Sequence, residues 1–324
     1  MSPGRLPVVN VCRDGEECAQ GPSVVAIGVF DGLHRGHRAV LAELVDLAHR
    51  YHATATVVTF DPSPASVLAP SRAPRQIATI DQRLEDMAAV GVEQVRILTF
   101  SKALSSESAR EFVERVLVGE LHATCVLVGE GFHFGHNREG SPALLREAGA
   151  ELGFDVVVAP THGEGERFSS SAVRGALATG DLDEVERVLG RPFTLRGVVE
   201  HGDNRGEELG FPTANIAVTK DQALPKEGVY AGATTIDEVW WPAAISIGTR
   251  PQFYEDGALL VEVHVVGYDG VLYGRQLDVV FLAFLRAQTT FASVEDLVVQ
   301  IGRDVEQTRQ LFASTATDEL KLLG

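Results

Sequence analysis

The first half of the chain alternates short apolar runs with segments of helical periodicity. Ser23 to Val29 is a continuous apolar run, which is typical of a parallel strand buried on both faces. From Gly36 to Tyr51 the apolar residues recur three or four positions apart, which predicts a helix. The alternation continues with strands predicted at Thr54–Phe60, Val95–Thr99, Cys125–Val128 and Asp155–Val158, and helices predicted at Ile80–Val90, Ser106–Val116 and Pro142–Leu152. This order predicts an α/β fold with a doubly wound, Rossmann-like parallel sheet.

The second half has a different pattern. Gly190 and Pro192 end the last helical segment of the first half, and helical periodicity then stops until Ser293. The segments between are short β-rich runs separated by turns, at Thr194–Val199, Gly228–Ile236, Ala243–Ile247, Leu259–Val266 and Gln276–Phe284. They predict an antiparallel β-barrel, and the amphipathic segment from Ser293 to Phe312 predicts a C-terminal helix that covers it. We therefore expect two domains, residues 1–190 and 191–324.

Composition narrows the class of protein. The 324 residues suffice for two domains, and 45% are hydrophobic and 23% charged. The formal net charge of −17 argues against a nucleic-acid partner, so a phosphorylated ligand would need local donors or a cation. Apolar runs are too short to span a membrane and the N-terminus lacks the order of a signal peptide, which predicts a cytoplasmic protein with no membrane partner. Cys12, Cys18 and Cys125 lack metal-ligand spacing and are interpreted as reduced thiols, with Cys125 in a buried strand.

The turn between the first predicted strand and helix holds two histidines, His34 and His37, three residues apart. Open α/β sheets bind ligands at such turns, where the free N–H groups of a helix N-terminus attract phosphate. Gly32 and Gly36 allow a ligand to approach the backbone closely. Two imidazoles in this turn can donate hydrogen bonds to an α-phosphate during nucleotidyl transfer. The alternatives are two solvated histidines or a metal site.

A second candidate for phosphate binding starts at Ser169. Three consecutive serines precede a predicted helix, and Arg174 follows one turn later. Hydroxyls and a guanidinium at a helix N-terminus can form a phosphate cradle. Simple N-capping by one of the serines is the alternative.

A glycine-rich segment, Gly202 to Gly206, introduces the strongest feature of the second half. Its glycines allow backbone N–H groups to face an anion. Further along, Pro212 precedes Thr213 and Asn215, which point to the same side of an extended chain because they lie two positions apart. A hydroxyl and an amide oxygen suit a Mg²⁺ ion that keeps waters and substrate phosphates. The alternative is an ordinary β-turn.

Several motifs together resemble one enzyme family. The segment Gly28-Val-Phe-Asp-Gly-Leu-His-Arg-Gly-His37 resembles the HxGH nucleotidyltransferases, and its lead-in is similar to that of the bacterial bifunctional riboflavin kinase/FAD synthetase family. Ser169-Ser-Ser-Ala-Val-Arg174 resembles the Ser-Ser-Thr-x-x-Arg motif of that family. Leu209-Gly-Phe-Pro-Thr-Ala-Asn215 and Val261-Glu-Val-His264 resemble riboflavin kinase motifs. The resemblance extends from Val24 to Phe312.

The resemblance implies a role for each matched residue. It makes Glu262 the general base of the kinase, although an exposed strand glutamate is more often a solvated side chain, and it gives His34 and His37 catalytic roles in nucleotidyl transfer. The implied metal ligands are Thr213 and Asn215. The implied nucleotide and phosphate site of the N-terminal domain comprises Gly28, Phe30, Asp31, Gly36, Ser169, Ser170 and Arg174. The implied flavin and nucleotide site of the C-terminal domain comprises Gly202, Gly206, Gly210, Pro212 and Arg286.

The implied activity is phosphorylation of riboflavin to FMN with ATP and Mg²⁺, followed by adenylylation of FMN to FAD with release of pyrophosphate. The partners are then these small molecules, with weak self-association of the chain. Two positions depart from the family pattern: Ser63 replaces a His, and Gly131 replaces an Asp or Asn. They motivate one alternative, a riboflavin kinase whose N-terminal domain is weakened or prefers another nucleotide or flavin. A flavin-binding sensor or carrier is a second alternative, because fold alone does not fix function.

Overall fold

The computed structural model describes residues 9–159, 168–202, 206, 209–249 and 259–315. The chain divides into two compact units. One is formed by Met1–Pro74 and Thr79–Phe168, and the other by Arg75–Ala78 and Ser169–Gly324.

The described part of the first unit contains a six-stranded parallel sheet with the order β1-β4-β3-β2-β5-β6. Its strands are β1 (Asn10–Cys12), β2 (Ser23–Ile27), β3 (Thr54–Phe60), β4 (Gln94–Leu98), β5 (Ala123–Gly129) and β6 (Asp155–Ala159). Strand β2 is buried along its whole length because both faces of the sheet are covered. Val24 belongs to the core with Leu44 on one face, and Val25 belongs to the core with Leu145 on the other. The apolar run of β2 therefore reflects burial on two sides.

Helices flank this sheet as the periodicity predicted, with one correction. The α-helices are α1 (Arg35–Tyr51), α2 (Pro64–Leu68), α3 (Ile80–Val90), α4 (Lys102–Ser105), α5 (Ala109–Phe112) and α6 (Pro142–Leu152), with 3₁₀ turns at Pro70–Arg72 and His136–Arg138. The helix predicted over Ser106–Val116 is present with other bounds and another geometry. It begins at Ala109, after the N-cap Ser108, and continues from Phe112 as a π-helix over Val113–Glu120.

The second unit contains a closed barrel with the order β10-β11-β8-β7-β12-β9, in which all the paired strands are antiparallel. Its strands are β7 (Phe193–Glu200), β8 (Ala214–Ile216), β9 (Gly228–Ile236), β10 (Val239–Thr249), β11 (Leu259–Val265) and β12 (Gln276–Arg286). Its helices are α7 (Ser170–Thr179), α8 (Leu182–Leu189) and α9 (Val294–Ser314). Helix α8 packs on β7 and β12, and α9 packs on β9 and β10. The predicted fold class, a parallel α/β sheet followed by an antiparallel barrel and a C-terminal helix, is confirmed.

The cysteine interpretation needs a correction. Cys12 and Cys18 form a disulfide, with Cα atoms 5.4 Å apart, whereas the sequence predicted reduced thiols. A turn closes between them, in which the Glu16 N–H donates to the Arg13 carbonyl and Gly15 has a φ of 83°. This turn brings the two buried cysteines together, and spacing alone did not reveal it. Cys125 is free and buried in β5, as predicted.

Candidate functional site

The turn from β2 to α1 is tight and is held by the first histidine. Phe30, Gly32 and Leu33 all have positive φ angles, so the chain reverses within a few residues before α1 begins. His34 is the N-cap of α1, and its Nδ1 accepts a hydrogen bond from the His37 backbone N–H at 3.3 Å. Because Nδ1 accepts, the neutral ring carries its proton on Nε2.

The two imidazole rings stack on each other. Their centroids are 3.6 Å apart with an interplanar angle of 18°, and the edge of Phe30 meets His37 at 5.2 Å. A Cβ at Gly36 would lie 3.2 Å from the His34 ring, and one at Gly28 would lie 3.0 Å from the Phe30 ring. Glycine at these two positions therefore leaves room for the rings of Phe30, His34 and His37. The structure thus brings five of the predicted residues together, namely Gly28, Phe30, His34, Gly36 and His37.

Burial keeps both imidazoles neutral. His34 is 6% exposed, and burial lowers its pKa to about 4. Burial, followed by the nearby His34, lowers the pKa of His37 to about 3. The His37 Nδ1 is enclosed and has no hydrogen-bond partner among the described residues. At neutral pH the pair can thus donate N–H groups to an anion without carrying charge.

The metal alternative for this turn gains no support. Within the described ranges, no group of three or more His, Cys, Asp and Glu side chains is arranged to hold a metal ion.

A residue that the sequence reasoning missed, Arg83 of α3, lies beneath this turn. It is 3% exposed, and its Nη1 donates to the Val29 carbonyl at 2.8 Å. Burial lowers the pKa of Arg83, and the carboxylates of Asp31 and Asp61 oppose that shift. Arg83 therefore provides positive charge beside two aspartates that follow β2 and β3. Its signal in the sequence was weak, because an arginine within an amphipathic helix normally faces solvent.

The two departures from the family pattern differ in their surroundings. Ser63 caps α2, and its hydroxyl accepts from the Ser66 N–H at 3.3 Å. Gly131 is exposed, and a Cβ added there would meet no atom within 4 Å. The space that an Asp or Asn side chain would fill is therefore open. His133 Nδ1 lies 3.2 Å from the Gly140 carbonyl oxygen, so its ring is engaged within its own loop.

The serine cluster confirms its capping interpretation for one residue. Ser169 is the N-cap of α7, with its hydroxyl accepting from the Ala172 N–H at 3.2 Å. Arg174 donates from Nε to the Arg75 carbonyl at 2.6 Å. Ser169, Ser170 and Arg174 belong to the second unit, whereas the two histidines belong to the first.

The second candidate site is a row of polar side chains across three barrel strands. Glu262 of β11 is in register with Asn215 of β8 on one side and with Ser246 of β10 on the other. Residues in register on neighbouring strands project from the same face. Asn215 is 8% exposed, and its Oδ1 has no partner in the part of the chain that the structure describes. An enclosed amide oxygen without a donor is chemically suited to a cation, and the metal site itself stays a prediction.

Glycines pack directly against the predicted metal ligands. A Cβ at Gly202 would collide with the Asn215 side chain, and a Cβ at Gly206 would lie 3.2 Å from the Thr213 hydroxyl and closer still to the Phe211 carbonyl. Gly210 has a φ of 82°, which favours glycine. Residues 203–205 of the glycine-rich segment lie outside the described residues.

A cavity of about 840 Å³ joins four of the eight predicted kinase residues. These are Gly206, Thr213, Glu262 and Arg286, and the lining also includes apolar residues of α9 such as Leu297 and Ile301. The Pro212 carbonyl is held by His264, whose Nδ1 lies 2.8 Å away. Arg286 forms an ion pair with Asp304 of α9, which the sequence reasoning also missed. The volume suits a small molecule with an apolar body and a polar end.

Comparison with known proteins matches each half of the chain to a protein family. A family profile for FAD synthetase matches residues 16–172, and one for riboflavin kinase matches residues 189–312. A bifunctional riboflavin kinase/FMN adenylyltransferase of Pseudomonas fluorescens is 42% identical over 294 residues, 90% of this chain and 94% of the relative. The enzyme of that name from Escherichia coli K12 is 38% identical over 312 residues, 96% of this chain and 99% of the relative.

A solved structure adds a likeness at the level of the fold. A crystal structure described as a macrolide-efflux protein from Streptococcus pneumoniae aligns with a TM-score of 0.82 and 28% identity, covering 93% of this chain and 99% of that one. In the chain described here, none of the resolved helices is long and apolar enough to cross a membrane. Because two family profiles match its two halves and relatives match it over nearly the whole chain, this protein belongs to the bifunctional riboflavin kinase/FMN adenylyltransferase family.

Proposed function

We propose that the barrel phosphorylates riboflavin to FMN and that the parallel-sheet unit adenylylates FMN to FAD, each with ATP as co-substrate. The observation that carries the proposal is the register of Glu262 opposite Asn215, in a row that borders a cavity shared with Thr213 and Arg286. A flavin binder without catalysis would need neither a base nor oxygen ligands for a cation. The division at residue 190 stays a prediction.

In the kinase reaction, Glu262 acts as the general base. It accepts the proton of the ribityl hydroxyl while that oxygen forms a bond to the γ-phosphorus and the bond to the ADP oxygen breaks. The apolar residues of α9 exclude water from the flavin, which favours transfer to riboflavin over hydrolysis.

Thr213 and Asn215 are the residues that would hold Mg²⁺. The unpartnered Asn215 Oδ1 and the Thr213 hydroxyl are hard oxygen donors, so they fit this ion. When bound, Mg²⁺ neutralises charge on the phosphates of ATP. Glycine at positions 202 and 206 leaves room for this arrangement, because a Cβ at Gly202 would collide with the Asn215 side chain and one at Gly206 would collide with the Phe211 carbonyl and crowd Thr213.

In the adenylyl transfer, a phosphate oxygen of FMN attacks the α-phosphorus of ATP and pyrophosphate leaves. His34 and His37 stabilise the charge that builds on the α-phosphate oxygens by donating N–H groups from neutral rings. Because His34 Nδ1 is already occupied as an acceptor, its donor is Nε2–H. Ser169, Ser170 and Arg174 are proposed to bind nucleotide phosphates.

Product analysis of three proteins tests the assignment. Wild type, His37→Ala and Glu262→Gln are incubated with riboflavin, ATP and Mg²⁺, and flavins are separated by chromatography. We expect FAD from wild type, FMN alone from His37→Ala, and neither product from Glu262→Gln, which still converts supplied FMN to FAD. Formation of FAD by His37→Ala at the wild-type rate would contradict the role of the histidine pair.

The alternative of altered specificity in the first unit is favoured by one observation, the open space at Gly131. Comparing nucleotides and flavin analogues as substrates distinguishes it, since a preference for any pair other than ATP and FMN supports the alternative. A cytoplasmic location and weak self-association stay predictions from the sequence.

A further inference from the structure

Arg286 and Asp304 form a multidentate ion pair at the wall of the barrel cavity. Arg286 ends β12, and Asp304 lies on α9. The Arg286 Nη2 donates to Asp304 Oδ2 at 2.7 Å, and Nε lies 3.0 and 3.1 Å from the two carboxylate oxygens. This geometry fixes both the position and the plane of the guanidinium.

Asp304 is itself held in place. It is 4% exposed, and Gln300, one turn earlier on α9, donates from Nε2 to Asp304 Oδ1 at 2.9 Å. A buried carboxylate needs a charged partner, and Arg286 is the cation that the structure places against it. The residue that fixes the orientation of Arg286 therefore lies on a helix and not in a loop.

The ion pair leaves part of the guanidinium available. Arginine has five N–H groups. Asp304 engages Nε and one N–H of Nη2, and the Ala287 carbonyl accepts one N–H of Nη1 at 3.2 Å. Among the described residues no other acceptor engages the guanidinium, so one N–H on each of Nη1 and Nη2 remains for an acceptor in the cavity that Arg286 lines together with Glu262 and Thr213. Two N–H groups on a planar fork match the oxygens of a phosphate group.

We propose that Asp304 is a positioning residue for riboflavin phosphorylation, orienting Arg286 so that its two remaining N–H groups bind a phosphate group in the cavity. The inference rests on the kinase activity proposed above for the barrel. Asp304 acts only through Arg286, which is the residue that touches the phosphate.

The first experiment replaces the carboxylate without changing its size. Asp304→Asn is compared with Asp296→Asn, the same substitution at an exposed position of the same helix. FMN formation from riboflavin and ATP is measured. FAD formation from supplied FMN is the control for the parallel-sheet unit, and tryptophan fluorescence is the control for folding of the barrel, because Trp240 and Trp241 lie in β10. We expect Asp304→Asn to lower kcat/KM for FMN formation about tenfold to hundredfold. The rate of FAD formation by Asp304→Asn should stay within about twofold of wild type, and so should the rate of FMN formation by Asp296→Asn. Asp304→Glu keeps a carboxylate and should recover part of the lost FMN formation.

A double-mutant cycle separates positioning from a general structural role. Arg286→Lys removes the planar fork and should lower kcat/KM by a similar factor. If Asp304 acts through Arg286, the second substitution adds little to the first. The kcat/KM of Arg286→Lys/Asp304→Asn for FMN formation should then lie within about twofold of that of Arg286→Lys alone. A double variant whose loss equals the product of the single losses would overturn the proposal.

Three outcomes distinguish a failure of the kinase assignment from a failure of the role proposed for Asp304. Wild-type protein that makes no FMN refutes the kinase assignment. Wild-type protein that makes FMN, while Asp304→Asn matches it, refutes only the role of Asp304. Loss of FMN formation together with the native tryptophan fluorescence of the barrel, in both Asp304→Asn and Asp304→Glu, assigns the residue to folding and also overturns the proposal.

Discussion

Acidification should destabilise the parallel-sheet unit, because that unit buries a neutral histidine at the N-terminus of α1. The pKa of His34 falls from the ordinary 6.5 to about 4 in the folded protein. Between these values the unfolded chain binds a proton that the folded chain does not. The stabilisation is therefore fully present above pH 6.5 and is lost as the pH falls towards 4.

The size of the effect follows from the two pKa values. The full shift corresponds to about 3 kcal/mol of unfolding free energy. Between pH 7.5 and pH 5.0, the part that is lost is about 2 kcal/mol. His34→Asn removes the titrating group but keeps a side-chain acceptor at the N-cap, since asparagine caps helices well. We expect wild type to lose about 2 kcal/mol more than His34→Asn over this interval.

A buried thiol makes the measurement specific to this unit. With Cys12 and Cys18 in a disulfide, Cys125 in β5 is the remaining thiol of the sequence, and it is buried. Urea unfolding followed by labelling of Cys125 with dithiodipyridine, which reacts below neutral pH, reports unfolding of the sheet. Tryptophan fluorescence reports the barrel, where both Trp240 and Trp241 lie in β10, and serves as the control. Equal losses for wild type and His34→Asn would refute the argument that burial keeps His34 neutral.

Two glycine substitutions test the sites independently. Gly131→Asn should raise kcat/KM for FAD formation from FMN about tenfold, because the open space accepts the side chain and a new hydrogen bond to substrate contributes about 1–3 kcal/mol. Unchanged kinetics would mean that no substrate group lies within reach of the new side chain. Gly202→Ala should lower the rate of FMN formation on the order of a hundredfold, because its Cβ displaces the Asn215 amide, while FAD formation from supplied FMN persists. Gly302→Ala on α9, where a Cβ meets nothing within 4 Å, is the matched control, and equal rates for both alanine variants would contradict the metal-ligand role of Asn215.

Local signals in the sequence were sufficient for the fold class and for the family. The apolar run of β2 and the periodicity of α1 depend only on neighbours in the chain, and so does the turn that separates them. The motifs around His34 and Asn215 are also contiguous, so they were recognisable without a fold. Periodicity located the bounds of elements less well: the helix predicted from Ser106 begins at Ala109, because Ser108 caps it, and its second half is a π-helix.

Contacts between distant parts of the chain were decided only by the tertiary structure. Arg83 reaches the turn after β2 from another helix, and Asp304 meets Arg286 from a helix that follows the barrel. The disulfide between Cys12 and Cys18 depends on a turn that brings their Cα atoms close together. The sequence by itself determined which elements form and which chemistry the chain carries, because periodicity and contiguous motifs are local. Only the folded structure decided which buried charges form ion pairs and which buried acceptor atoms make no hydrogen bond among the described residues. Both depend on packing between elements that are far apart in the chain.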